Sequence, residues 1–186
     1  MPHMTARQAA VQALLKVDGE GGYSNLVLNE QLKKAQLSPE DTAFASRLFY
    51  GTLERKLTLD HIIGAYSKKP VHKLTPAVAE ILRMSLYQLA FLDSVPDSAA
   101  VNEGVKLTRT MKAASASGFV NAVLRAFLRQ RAAAGQGRTA APVGGALFLP
   151  AVDHPIAAAV LWGAGGNRLF GIFAGAPTSL RPGQHG

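Results

Sequence analysis

The sequence predicts an all-α protein: an antiparallel helical bundle of about six to seven helices over residues 4–134, followed by a tail, residues 135–186, of different character. Three observations carry that expectation. Before residue 135 the apolar residues recur at helical spacing, with no strand-like alternation. Start signals that join a capping hydroxyl to a proline, Ser38-Pro39-Glu40-Asp41 and Thr75-Pro76, punctuate the stripes. Eleven of the 18 glycines then fall in residues 135–186, together with Pro142, Pro150, Pro155, Pro177 and Pro182, and that composition predicts poor order.

Thr5 is placed to cap a first helix running to about Lys16, with Ala9, Ala10, Ala13, Leu14 and Val17 facing inward and Asp18 to Gly22 closing it. Ser24 opens a second, expected to bury Leu26, Leu28 and Leu32, with Lys33 and Lys34 at the C-terminal end that favours cations. From Ser38 a third carries Phe44, Leu48, Phe49, Leu53 and Leu57. It is expected to continue, bending near Gly51, through Leu59, Ile62 and Ile63 to about Tyr66, where Lys68-Lys69-Pro70 ends it. The helix opened by Thr75 and Pro76 aligns Val78, Ile81, Leu82, Leu86 and Leu89 as far as Leu92.

Pro96 and Asp97 lead into a helical hairpin. Asp97 is read as the N-cap of its first arm, which carries Val101, Val105 and Leu107. The second arm sets Phe119, Val120, Val123, Leu124, Phe127 and Leu128 on one stripe, and the small-residue run Ala113 to Gly118 joins the two. This stretch, residues 98–131, is expected to be the element that the other helices surround. Asn102 and Asn121 are expected to hold its arms together through polar contacts.

The formal net charge is +8, with a pI of about 10.1. Residues 1–134 hold 17 Lys and Arg against 11 Asp and Glu, so the excess resides in the helical part rather than in a basic tail. Such a surplus points to a polyanionic partner. The chain contains no cysteine, which excludes disulfides, thiolate metal sites and a cysteine nucleophile. Its five histidines, at 3, 61, 72, 154 and 185, lack zinc-ligand spacing, so no metal is expected. The apolar run from Ile156 to Ala174 is broken by Gly163, Gly165, Gly166, Asn167 and Arg168, which argues against a membrane span. Arg168 also replaces the third glycine that a dinucleotide loop requires, and no cofactor is implied. With no long apolar leader, a cytoplasmic location is expected.

Five segments occur in a recognisable order: ARQAAVQALLKV, GYSNLVLNEQL, DTAFASRLFYGTLERKLTLDHII, LTPAVAEILRMSLYQLAFLDSVPDSAAVNEGVKL and SGFVNAVLR. Over about residues 5–131 the chain resembles the NusB-like N-terminal domain of bacterial small-subunit rRNA methyltransferase B. It is similar also to the antitermination factor NusB, whose superfamily binds RNA. Tyr23-Ser24-Asn25-Leu26 and Tyr50-Gly51-Thr52-Leu53 resemble the methyltransferase branch more. That resemblance implies a parent enzyme making 5-methylcytosine in 16S rRNA from S-adenosylmethionine with two cysteines of a further domain. Those cysteines are missing from this chain, so it is expected to be non-catalytic by itself.

Leu149-Pro150, Asp153 and Pro155 resemble the family's linker, and Ala176-Pro177-Thr178-Ser179-Leu180-Arg181 the opening of its next domain. One possible coding of Pro182-Gly183-Gln184-His185-Gly186 reads Arg-Val-Asn-Thr one base later, the expected continuation, so a truncated or frameshifted methyltransferase is the expectation.

The expected RNA contacts are Arg7 on the first helix, Lys68, Lys69 and Lys73 in the loop after the third, and Arg125, Arg129 and Arg131 on the last. Arginine donates bidentately to phosphate, whereas lysine acts as a point charge. Phe44, Phe49, Phe119 and Phe127 fall on apolar stripes and are read as core; Tyr23 is the aromatic left open. Two functions follow from the resemblance. One is an rRNA-docking module of the methyltransferase, with 16S rRNA as partner; the other is an antitermination factor that binds RNA with a ribosomal protein.

Overall fold

Seven α-helices form the bundle in the computed structural model, which describes residues 4–20 and 24–133: α1 Ala6–Glu20, α2 Ser24–Ala35, α3 Pro39–Glu54, α4 Lys56–Tyr66, α5 Pro76–Phe91, α6 Asp97–Thr110 and α7 Ser117–Ala133. Two short 3-10 turns, Val71–Lys73 and Ala114–Ala116, precede α5 and α7. The expectations for Tyr23 and for residues 135–186 lie outside the described residues.

The centre of the bundle is α5, not the hairpin. Every residue from Val78 to Leu89 is buried, and the helix packs against α1, α3, α4, α6 and α7. An apolar stripe cannot by itself distinguish a helix covered on one side from one covered all round. The informative residues were the polar ones, Glu80, Arg83, Ser85 and Gln88, which α5 carries into the interior. Three of them are satisfied by partners. Arg83 grips Asp60 of α4 with Nε to Oδ1 at 2.6 Å and Nη2 to Oδ2 at 2.9 Å, and its Nη1 donates to Glu80. Gln88 accepts from Arg7 Nε at 2.8 Å and donates to the Met84 carbonyl at 3.1 Å.

The helix starts follow the capping chemistry in part. Thr5 and Gln8 form a reciprocal capping box: the Gln8 amide donates to Thr5 Oγ1 at 3.2 Å, and the Thr5 amide donates to Gln8 Oε1 at 2.7 Å. Ser38 Oγ accepts from the Asp41 amide at 3.1 Å. Thr75 is extended ahead of Pro76, but its side chain makes no capping bond. Asp97 is the first residue of α6 rather than its cap, Pro96 taking that place.

Several expectations are corrected. Helix α1 runs past Lys16 through Gly19, because one glycine costs a helix only about 1 kcal/mol. Leu26 is 62% exposed, since it lies on the opposite side of α2 from Leu28, Gln31 and Ala35. Leu57 is 75% exposed because α3 does not simply bend near Gly51. It ends at Glu54, and α4 begins at Lys56 after Arg55 leaves helical geometry at φ −105 and ψ 16. The Arg55 guanidinium then sits 4.4 Å from the centroid of the Phe91 ring, locking the break to the end of α5.

The α6–α7 hairpin is held by hydroxyls and a glycine, not by Asn102 and Asn121. Thr108 Oγ1 and Ser117 Oγ lie 2.6 Å apart across the connection, whereas Asn121 accepts from Arg125 of its own helix and Asn102 is exposed. At Gly104 a Cβ would stand 2.5 Å from Ser85 Oγ and 3.3 Å from Leu124 Cδ1, so the glycine lets α6 approach both α5 and α7.

Candidate nucleic-acid interface

Lys68 and Lys69 follow the C-terminus of α4 at Ser67. The Ser67 hydroxyl accepts from the Lys69 amide at 3.0 Å and lies 2.6 Å from the Lys69 carbonyl, which it donates to, so the loop turns tightly. Pro70 opens the 3-10 turn, closed by Lys73 N to Pro70 O at 2.9 Å and Leu74 N to Val71 O at 3.0 Å, which displays Lys73 on the same loop. All three lysines are exposed.

Opposite them stands the α6–α7 connection. Two bonds close α6: the Ala113 amide donates to the Thr108 carbonyl at 2.7 Å, and the Lys112 amide to the Arg109 carbonyl at 3.3 Å. This is a Schellman closure with Lys112 at its left-handed position, φ 56. Between loop and connection lies a groove of about 710 Å³. Its rim carries Lys68, Lys69, Lys73 and Lys112, its apolar floor includes Leu74, Val78, Met111 and Phe119, and among the described residues no acidic one lines it. The ion pairs of the described residues engage Lys16, Lys34, Lys56 and Lys106 and leave these four ammonium groups out. Four like charges around one apolar depression make a field that attracts an anion and an apolar surface that accommodates a planar group.

The structure thus brings together three of the seven expected contacts and adds Lys112. That residue was legible only as one more lysine in a linker, because its backbone position cannot be read from spacing. Phe119, expected in the core, is half-buried and reaches the groove floor.

Arg125 and Arg129 are exposed one turn apart on α7, with Arg125 Nε donating to Asn121 Oδ1 at 2.9 Å. Arg7 and Arg131 are half-buried and engaged with partners of the bundle. Besides its bond to Gln88, Arg7 stacks 4.9 Å from the centroid of Phe44. Burial lowers its pKa, against the raising effect of Glu103 and Asp41. Those two carboxylates line a smaller hollow of about 490 Å³ beside it, so its surroundings are of mixed sign. Arg131 donates Nη1 to the Leu89 carbonyl at 2.6 Å and Nη2 to Asp97, tying the end of α7 to α5 and α6.

Among the described residues no group of three or more His, Asp or Glu is placed to hold a metal ion, and no helix is long and apolar enough to cross a membrane. The chain matches the model of the NusB family over residues 4–129. The chain belongs to the NusB family. Among its relatives is the probable ribosomal RNA small subunit methyltransferase B of Bacillus subtilis, 36% identical over 130 residues, covering 70% of this chain and 29% of that protein. The chain therefore spans less than a third of that relative's length. The transcription antitermination protein NusB of Bacillus licheniformis is 33% identical over 125 residues, covering 67% of this chain and 94% of that one. In three dimensions it is similar to a chain of the solved complex of antitermination factors NusB and NusE with double-stranded RNA. That likeness has a TM-score of 0.62 at 22% identity and covers 67% of this chain and 94% of the other. The helical domain is thus related to both kinds of protein.

Proposed function

We propose that this chain is a non-catalytic RNA-binding protein that holds RNA phosphates with Lys68, Lys69 and Lys73 at the groove and with Arg125 and Arg129 on α7, and that acts together with a ribosomal-protein partner. The observation that carries the reading is the acid-free, lysine-rimmed groove on a domain of the NusB family. A NusB protein matched across 94% of its length and a related fold solved with NusE and double-stranded RNA support the paired mode of binding. Contacts of this type position RNA without reading its sequence. The absence of cysteine leaves no nucleophile for cysteine-dependent methylation in this chain.

A second reading rests on the 36% identity to the methyltransferase and on Tyr50-Gly51-Thr52-Leu53: the domain docks 16S rRNA for methylation. Binding of the purified chain separates them. A stable ternary complex with the ribosomal protein on antiterminator RNA supports the first reading. Preference for a 16S rRNA fragment, with no response to that protein, replaces it with the second. Absence of binding to either RNA at low ionic strength removes both.

A further inference from the structure

The α6 closure places a lysine where the backbone favours glycine. In a Schellman motif the residue after the cap takes a left-handed conformation, and a side chain there meets the steric penalty that makes glycine the usual occupant. Lys112 sits there at φ 56, with both closing bonds formed around it. It is exposed, has no ion pair among the described residues, and lines the groove facing the loop that carries Lys68, Lys69 and Lys73. Helix α2 ends at another left-handed residue, Gln36 at φ 50, so the conformation alone does not distinguish the site. The charge does. Gln36 is neutral and lies in the mixed-sign hollow beside Arg7, whereas Lys112 closes the ring of positive charge on the one wall of the groove that would otherwise have none.

We propose that Lys112 is an RNA phosphate contact, completing the groove from the side opposite the 68–73 loop, and that the fold keeps a strained lysine there for its charge. The inference rests on the RNA-binding reading above. With lysines on both walls, a phosphate backbone laid along the groove is neutralised from two sides, and the apolar floor at Met111 and Phe119 lies under the nucleotide between. Unlike Arg131, the exposed Lys112 side chain makes no hydrogen bond or ion pair among the described residues, so its removal breaks none.

The test is a set of salt titrations of RNA binding on the full chain, with thermal melts as a control for folding. Lys112→Gly is expected to keep or raise the melting midpoint while reducing the slope of log affinity against log salt by about 0.7, the share of one phosphate on a single strand. Lys112→Arg, which keeps the charge, restores the slope. Gln36→Gly, which relieves the same backbone conformation without touching a charge, leaves the slope at the wild-type value. If Lys112→Gly binds with wild-type affinity and slope while Lys69→Ala weakens binding, the inference is overturned and the RNA-binding reading stands. If the wild-type chain binds no RNA, the reading beneath it fails instead.

Discussion

Gly51 of α3 lies directly beneath the Tyr87 ring of α5: a Cβ added there would stand 2.1 Å from both Cζ and Oη. The two helices touch through a missing side chain. Gly51 therefore marks a contact rather than a bend, and the break in the chain comes later, at Arg55.

Gly51→Ala should destabilise the bundle. Overpacking of this kind costs about 1–3 kcal/mol, because a stiff aromatic ring held in a core has little room to retreat. Alanine's better helix propensity offsets up to about 1 kcal/mol of that. Chemical denaturation would show a lower midpoint at unchanged slope; a midpoint equal to wild type would mean that Tyr87 moves freely.

Gly104 and Ser85 should couple. Ser85 Oγ is buried without a hydrogen-bond partner and is the atom nearest to a Cβ at Gly104. Ser85→Ala alone is expected to be neutral or mildly stabilising, since it removes an unsatisfied buried hydroxyl. Gly104→Ala alone should cost about 1–3 kcal/mol as overpacking. The double variant should recover much of that loss, and strict additivity in a double-mutant cycle would contradict the geometry.

Arg83→Met should expose the dependence of Glu80 on the cation that it is hydrogen-bonded to. Burial raises the Glu80 pKa above its ordinary 4.5, with Arg83 pulling in the opposite direction. Burial opposes the charge on Arg83 as well, and the carboxylates of Asp60 and Glu80 hold its pKa up. An acid whose folded pKa is raised binds its proton more tightly in the folded state. Stability from this source is thus present below pH 4.5 and is lost as pH rises through the folded pKa. Without Arg83 that loss grows, so the variant's deficit, about 3–5 kcal/mol at neutral pH for a stranded buried carboxylate, should shrink on acidification. Denaturation curves at pH 7 and pH 4 would check it; an equal deficit at both would count against it.

Arg131 and Arg129, two residues apart, should behave oppositely. Arg131→Ala removes the bond to the Leu89 carbonyl and the pair with Asp97, and is expected to cost about 1–3 kcal/mol of stability while leaving the RNA salt slope unchanged. Arg129→Ala should leave the melting curve in place and reduce the slope. Arg125→Ala with Arg129→Ala should reduce it by about 1 to 1.5 units, at roughly 0.7 per phosphate.

The helices were legible because their periodicity and caps are local properties: Ser38-Pro39 and the 120, 123, 124, 127 stripe appear in the structure as the spacing implies. The centre of the fold was not legible. Glu80, Arg83 and Gln88 look like a solvated face until Asp60 and Arg7, 23 and 81 residues away, are brought to Arg83 and Gln88. The same limit divided the expected contacts. Lys68, Lys69 and Lys73 share one loop and so stay together in any fold that leaves it exposed. The surroundings of Arg7 and Arg131 depend on long-range partners, and Lys112 became visible only once the fold set it on the groove opposite the 68–73 loop.

The most direct measurement is the affinity of the purified chain for RNA as a function of salt concentration. Six neutralised phosphates, five at the proposed contacts and one at Lys112, at roughly 0.7 each on a single strand, predict a slope of about −4.2 in log affinity against log salt. A slope near zero, or no binding at low ionic strength, would contradict the account.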